Sequence, residues 1–519
     1  MAKLSLEKWV IIFTVVSAAL LQLIDTSIVN VSLIQMMGNM GATLGDISWV
    51  VTGYAASNVI MITLSGWLSS KFGRKNYFAA SIILFTAASI LCGQSHNVWE
   101  LVIFRIIQGF GGGGLLSTAQ AILIETFPKE DLGMANAIYG VGVIIGPTIG
   151  PTLGGYITDN YSWPWIFYIN VPIGIIAAIC TMLFIKEPAE KMKTGRMDWL
   201  AIIMLTVGIG ALQVVLEKGE SEDWFETPYI VWLTVASVVG LVAFIWRELV
   251  AKHPVVDLGI MRYRSFAVGS LFNFILGFGL FASVFIIPVF AQKILNFTAT
   301  DTGLLLMPGS IMTGFMMPIV ANVMKKKVSP YLLSGIGFLI FFIFTFMLSH
   351  LNLSAGPDDF FWPLIIRGFG LGMIFIPLTT ISFAGLNGKE IPQGTALNNM
   401  IRQLGGSFGT AIMATYITTR TRFHVESMRQ HISSYDIISQ QRFEGLKNLF
   451  LSKGSSLMEA TQQAYASLQG MLTKQALMLT YRDTFLIVGI FFLLCIPLLL
   501  LFIGGKKSGA QQHIEMNIE

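Results

Sequence analysis

"WELVIFRIIQGFG" (residues 99–111) is echoed by "WPLIIRGFGLG" (residues 362–372). Each stretch opens on a tryptophan, sets an arginine five or six residues later (Arg105, Arg367), and then turns glycine-rich. The basic hairpins "KFGRK" (71–75) and "KKK" (325–327) stand in the same relation to the apolar segments around them. A duplicated unit accounts for both echoes. They predict two six-helix halves, one over residues 1–190 and one over 251–519, with two further helices inserted over 191–250. Parallel repeats of this kind belong to transporters whose substrate site lies where the halves meet.

Composition sets the environment. Of the 519 residues 54% are hydrophobic and 12% charged, against about a quarter charged in soluble domains. Apolar runs near 20 residues suffice to cross about 30 Å of hydrocarbon, and only helices or closed barrels satisfy the backbone there. The runs are too long for barrel strands, so the fold class is an all-α polytopic membrane protein. Fourteen helices are predicted, over residues 9–35, 47–70, 76–95, 99–124, 132–158, 165–185, 198–216, 227–247, 266–292, 301–324, 329–350, 360–385, 392–420 and 484–504. The first run follows Lys3 and Lys8 as a signal peptide would, but its length and the lack of a small-residue cleavage site predict an uncleaved span.

Basic residues orient the chain. With both termini cytoplasmic, twenty Lys and Arg fall in inner segments, whereas the short outer loops hold only Lys218 and Lys293; that asymmetry follows the positive-inside rule. Residues 421–482 then form an outer segment, expected to be a helical hairpin. The net charge of +4 is scattered over short loops, which gives no reason to expect a nucleic-acid partner. Cys92, Cys180 and Cys495 all fall in apolar segments and read as buried thiols without disulfides.

Several motifs carry chemistry. In "GVGVIIGPTIGPTLGGYI" (140–157), Gly142, Gly146, Gly150 and Gly154 recur every four residues, with Pro147 and Pro151 on the same step and Gly155 beside them. Such a ridge lets another helix approach closely, and prolines bend the helix that bears them; the expectation is a bendable contact between the halves. "GWLSSKFGRK" (66–75) supplies Gly66, Gly73, Arg74 and Lys75 at an inner helix end, expected to latch the inner gate. Gly109, Gly111 and Gly114 satisfy a dinucleotide-binding spacing, but no strand precedes them and they lie inside a span, so that reading fails. No phosphate-binding Walker sequence and no metal-ligand cluster is present, and nothing calls for an enzyme or a cofactor.

Charges within the spans are few: Asp25, Arg105, Arg367 and Arg402, with Glu125 near an inner end. At about 1.5 Å per residue, Asp25 lies roughly 14 Å below the outer end of its helix and Arg105 roughly 9 Å below the outer end of its own. Intramembrane charges mark functional sites by default, so Asp25 and Arg105 are the expected functional pair. Asn30, Tyr54, Asn58, Gln108, Gln120, Asn273, Asn398 and Arg402 are the expected substrate-cavity residues.

With these residues assembled, the chain resembles the major facilitator superfamily, and within it the fourteen-helix drug:proton antiporters of the EmrB/QacA type. "LIDTSIVNVSLI" matches the first-helix motif at Asp25, Thr26, Val29, Asn30 and Val31, with Ser32 and Ile34 replacing the usual alanine and proline. Arg105, Gln108 and Gly109 match the fourth-helix motif, and the glycine–proline ridge matches the antiporter motif. "WPWIFYINVPIG" (163–174) is close to a signature of the fourteen-helix group. Ser70 departs from the inner-loop motif, which has an aspartate there.

The resemblance implies a proton-driven multidrug efflux transporter of a bacterial inner membrane, working by alternating access with the proton gradient as its energy source and no cofactor. Its substrates would be hydrophobic or amphipathic, often cationic, drugs. Beyond the lipid bilayer, a periplasmic adaptor and an outer-membrane channel are implied partners. The alternative is a proton-coupled transporter of one metabolite, such as a siderophore or a sugar. Burial favours the neutral form of Asp25 and a nearby arginine its charged form, so the expectation is that Asp25 exchanges a proton as the protein turns over.

Overall fold

The computed structural model describes residues 6–127, 131–187, 198–251, 254–326, 328–388, 390–432 and 436–503. The boundary between residues 190 and 191 lies outside them, as do Lys3, Lys129, Lys191, Lys193, Arg196, Lys252, Lys327, Lys389, Lys506 and Lys507 of the orienting basic residues. The first half comprises α1 (Leu6–Met40), α2 (Leu44–Phe72), α3 (Arg74–Gly93), α4 (Val98–Thr126), α5 (Leu132–Asn160), α6 (Trp165–Tyr168) and α7 (Asn170–Phe184). The inserted pair is α8 (Trp199–Lys218) and α9 (Pro228–Val250). The second half comprises α10 (Arg264–Lys293), α11 (Ala299–Lys325), α12 (Pro330–Leu348), α13 (Pro357–Phe383), α14 (Ile391–Arg429), α15 (Ile437–Ser452) and α16 (Leu457–Ile503).

The echoed sequences do the same work in each half. Glycines of "GFGGGG" let α4 close on two neighbours at once. A Cβ on Gly113 would meet the Asn58 carbonyl of α2, and one on Gly111 would lie 2.6 Å from the Phe85 nitrogen of α3. In "GFGLG", Gly368 abuts Gly309 of α11 and Gly370 abuts Gly337 and Phe341 of α12. Accordingly α2–α4, α3–α4, α1–α5 and α3–α7 pack closely in the first half, as α11–α13, α12–α13, α10–α14 and α12–α16 do in the second. Even the caps repeat. Thr43 and Asp46 close a capping box at the start of α2, and Thr298 and Asp301 close one at the start of α11, each satisfying otherwise orphaned N–H groups.

Thirteen helices among the described residues are long and apolar enough to cross a membrane. The segment predicted over 392–420 is helical within α14 but too polar to join them, because its Asn, Gln, Thr and Arg side chains face other helices rather than lipid. The segment predicted over 165–185 is interrupted at Ile169. Pro172 has no N–H to offer the Tyr168 carbonyl, which removes the hydrogen bond that would join α6 to α7. Over 421–482 the chain is helical: α14 runs on to Arg429, α15 packs on α16 with Phe443 against Tyr465, and α16 is one helix from Leu457 into the final span. Helices α14 and α16 are tied where they leave the core by Asp483, which accepts from Arg420 Nε (2.7 Å) and pairs with His424 Nε2 (3.0 Å).

The glycine ridge of α5 corrects an expectation. Cβ atoms on Gly146, Gly150 and Gly154 would meet Leu23, Ile24, Ser27, Ile28 and Val31 of α1. The ridge therefore seats α1 of its own half, not the other half. Contact between the halves uses a different face of α5. Gly133 lies on Ala321, Thr148 Oγ1 is 2.7 Å from Ser310 Oγ, and Thr152 fills the space over Gly303, all on α11. Every fourth residue returns to nearly the same face, so a separate series offset from the ridge makes α5 a two-faced wall between α1 and α11. The inserted pair bridges the halves from outside: Lys218 donates to the Gly45 carbonyl (3.0 Å) beside Trp49, and Trp224 Nε1 donates to Thr415 Oγ1 (3.0 Å) of α14.

Filling the ridge should wedge α1 off α5. Gly150→Leu is expected to cost about 1–3 kcal/mol of stability, read as a lowered thermal midpoint of the detergent-solubilised protein. Gly445→Ala, inside α15 at a position with nothing within 4 Å of a new Cβ, should not lower it.

Candidate functional site

Asp25 sits on the face of α1 turned toward α4 and α7, fully shielded from solvent. A lone carboxylate there would cost several kcal/mol, and the chain answers with three donors. Arg105 Nη1 of α4 donates to Oδ2 at 2.5 Å, while Gln108 Nε2 of α4 and Asn170 Nδ2 of α7 each donate to Oδ1 at 2.9 Å. Arg105 and Gln108, one turn apart on α4, also bond each other (2.6 Å). Arg105 Nε donates to the Val50 carbonyl of α2 (3.3 Å), and its guanidinium lies 3.9 Å from the Tyr54 ring centroid. Ser89 Oγ of α3 accepts from both Gln108 (2.7 Å) and Asn170 (3.3 Å). Five helices thus converge on one carboxylate, and protonating it would remove the charge that three of the donors address.

The expected cavity residues do not gather in one place. Gln108 and Tyr54 belong to the Asp25 cluster rather than to a separate cavity wall. Asn58 accepts from Gln22 Nε2 of α1 (3.2 Å), just below that cluster, and Asn30 is exposed on α1. Gln120 and Arg402 lie at the meeting of the halves, and Asn398 is buried one turn before Arg402 on α14. There Asn399 Nδ2 of α14 donates to Gln120 Oε1 of α4 (2.8 Å), and Tyr139 Oη of α5 donates to Asn399 Oδ1 (3.1 Å). Asn273 of α10 donates within its own half to the Gly269 carbonyl (2.9 Å) and Ser382 Oγ (3.2 Å).

The residues expected at an inner gate gather around the turn between α2 and α3 and the start of α14. Gly66 is pressed against Pro392 and Gln393 of α14, where a Cβ would lie 2.9 Å from backbone atoms. Gly73 turns the chain between α2 and α3 at φ +90°, a conformation open to glycine and strained for other residues. Arg74 pairs with Glu125 of α4, and the backbone N–H of Asn76 donates to Glu187 Oε1 (3.3 Å). Glu187 and Glu125 place carboxylates beside this turn, where Ser70 has replaced the motif aspartate; Ser70 itself bonds the Gly66 carbonyl (2.8 Å). Lys75 is half-buried on the first turn of α3. Pro147, Pro151 and Gly155 lie within the unbroken helix α5.

Asn170 and Ser89 were not singled out from the sequence. Asn170 is an amide within the apolar run "FYINVPIG", a signal that was available; Ser89 offers none, because serine is common in apolar helices and bonds its own turn.

The family model described as Major Facilitator Superfamily matches residues 15–410. The chain is 32% identical to the Multidrug export protein EmrB of Escherichia coli (strain K12) over 480 residues, covering 92% of each chain. It is also 32% identical to the Multidrug export protein EmrB of Haemophilus influenzae over 448 residues, 86% of this chain and 88% of that one. Its fold is similar to the crystal structure of a bacterial homolog to the human lysosomal transporter Spinster (TM-score 0.54, 15% identity, 96% of this chain and 98% of that chain).

Removing one member of the buried pair leaves the other unmatched. Asp25→Ala is expected to cost about 3–5 kcal/mol, and the Asp25→Ala/Arg105→Ala double variant less than the sum of the singles. Denaturation midpoints of the four proteins check this; strictly additive costs would mean that the pair is not coupled.

Proposed function

From the premise that the chain belongs to the Major Facilitator Superfamily, we propose that it is a multidrug efflux transporter driven by protons through Asp25. The observation that carries the reading is a fully enclosed carboxylate, held by donors from two other helices, in a chain 32% identical over 92% of its length to a multidrug export protein. The family consists of transporters, and the chain is a multi-pass membrane protein that handles small molecules.

In this reading a proton reaches Asp25 from the outer side. Neutralising the carboxylate frees Arg105, Gln108 and Asn170, which loosens α1 from α4 and α7. Because α1 is seated on the glycine ridge of α5, and α5 on α11, a shift of α1 is passed to the boundary between the halves. The halves, 1–190 and 251–519, then rock about that boundary while the 191–250 pair bridges them. On the inner side the Gly66 contact with α14 and the ion pair of Lys325 with Asp131 join the halves, and they part to admit substrate. Each proton that enters down a potential of 100 mV contributes roughly 2.3 kcal/mol, enough to drive export against a gradient.

We place the protein in a bacterial inner membrane with both termini cytoplasmic, from the inward bias of its Lys and Arg residues. The outward extension of α14, α15 and the first part of α16 is the surface proposed to meet a periplasmic adaptor and, through it, an outer-membrane channel.

Everted vesicles carrying the wild-type chain are expected to pump ethidium on energisation, at a rate that follows the pH gradient. Asp25→Asn keeps the shape of the side chain but carries no exchangeable proton; its vesicles should show no proton-coupled efflux. Wild-type pH response in that variant would remove Asp25 from the mechanism.

A further inference from the structure

The turn "EKGESEDWFETP" (217–228) joins the inserted helices, and two of its residues hold a backbone conformation that favours glycine. Asp223 and Trp224 lie at φ +52° and +53°. For a bulky side chain such a conformation persists only where the surroundings dictate it, and here they do. The Trp224 backbone N–H donates to the Gly219 carbonyl (2.7 Å), and its ring lies over Gly219, where a Cβ would be 2.5 Å away. The folded-back indole then points Nε1 at Thr415 Oγ1 of α14 (3.0 Å).

The turn and the end of α8 grip both halves. On the first half, Lys218 is 3% exposed, donates to the Gly45 carbonyl (3.0 Å) and to Ser48 Oγ of α2, and lies 5.0 Å from the Trp49 ring centroid. On the second half, Gln213 Nε2 donates to Ser407 Oγ (2.9 Å), Trp224 Nε1 to Thr415 Oγ1, and Glu220 Oε1 accepts from Thr418 Oγ1 (2.6 Å). At about 3.6 residues per turn, Ser407, Thr415 and Thr418 fall on one side of α14. The two grips differ in what release leaves behind. Lys218 is a buried ammonium that would lose its acceptors and its ring face if α2 withdrew. The α14 grip has fallbacks. Ser407 and Thr415 also donate to the Gln403 (3.3 Å) and Ala411 (2.9 Å) carbonyls of their own helix, and Gln213 Nε2 also donates to Glu217 Oε1 (3.1 Å).

We infer that the inserted pair is a reversible clasp: α8 and α9 move with α2 of the first half, and the halves part at this end of the bundle only when the three bonds to α14 are released. The pair moves as one because α8 and α9 cross at glycines, a Cβ on Gly240 lying 2.9 Å from Gly208 Cα. At the opposite end of the same seam, Gly66 of α2 presses directly on the backbone of Pro392 and Gln393 of α14. The seam between α2 and α14 is therefore closed by close packing at one end and by hydrogen bonds carried on an inserted helix at the other. Two six-helix halves alone would lack that second closure; the insertion supplies it. The inference rests on the export reading only in taking the halves to part at this end during turnover.

Distances between the halves test it without transport. Spin labels on His96→Cys and Asp358→Cys, both exposed positions, place one reporter on each half at the end where the turn lies. Cys92, Cys180 and Cys495 are replaced by serine, and the full chain is measured in lipid nanodiscs by double electron–electron resonance. Trp224→Phe/Thr418→Val removes two of the bonds to α14 with little change of side-chain shape. It should raise the ratio of separated to closed distances about fivefold or more, each lost bond being worth roughly a two- to tenfold shift. Gln213→Leu should raise it by a smaller factor. Thr234→Val on α9, whose hydroxyl donates to the Ile230 carbonyl of its own helix (2.8 Å), should leave it unchanged. An unchanged distribution in both clasp variants, or the same rise in Thr234→Val, would overturn the clasp. The expected rise in a protein whose wild type exports no ethidium would sink the export reading alone, so the two failures are distinct.

Discussion

The ion pair between Asp25 and Arg105 is the constraint to which the first half is fitted. A carboxylate placed inside a hydrocarbon-spanning helix is tolerable only if its oxygens are saturated by donors that are themselves held in place. Arg105 and Gln108 must therefore share a face of α4, Asn170 must begin α7 against α1, and Ser89 must bring α3 within reach of both amides. The glycines of α4 are the other side of the same requirement. Without them α2 and α3 would stand too far off for Val50, Tyr54 and Ser89 to close around the guanidinium and the amides.

The second half repeats the packing without repeating the charge pair. Gly368, Gly370 and Gly372 bring α13 against α11 and α12 much as Gly109, Gly111 and Gly113 bring α4 against α2 and α3. Arg367 stands where Arg105 stands, is 2% exposed, and forms no ion pair among the described residues. The duplicated scaffold is thus symmetric in its close approaches and asymmetric in its ionisable groups. Under the transport reading, the proton site belongs to one half, and the unpartnered polar atoms of Asn398 and Arg402 to the other.

Between them stands α5, which meets α1 through one row of glycines and α11 through another row of small residues. Small-residue seams of this kind permit close contact without interlocking side chains, so they allow neighbouring helices to shift while staying packed. The proximity of a charge-bearing helix and an inter-half boundary on opposite faces of one helix is a mechanical link that linear sequence does not display. It is also why the ridge was misassigned: a four-residue glycine period states that something packs closely, not which helix does.

The sequence by itself determined the helical membrane class, the duplication, the one-sided bias of basic residues and the identity of the intramembrane charges. These follow from hydropathy, spacing and residue type, which are local properties. It also placed Asp25 and Arg105 at similar depths, because rise per residue along a helix is fixed. Only the tertiary structure decided the rest. It paired those two charges and recruited Asn170 and Ser89 from helices with no distinguishing spacing. It moved Gln108 and Tyr54 from an expected cavity into the charge cluster, and it set Glu125 and Glu187 beside the turn where Ser70 lacks a carboxylate. It left polar atoms of Arg402 and Asn398 without a partner among the described residues. The reason is physical: which side chains satisfy one another depends on the rotation of each helix about its own axis and on its choice of neighbours. Both are set by close packing between segments far apart in the chain.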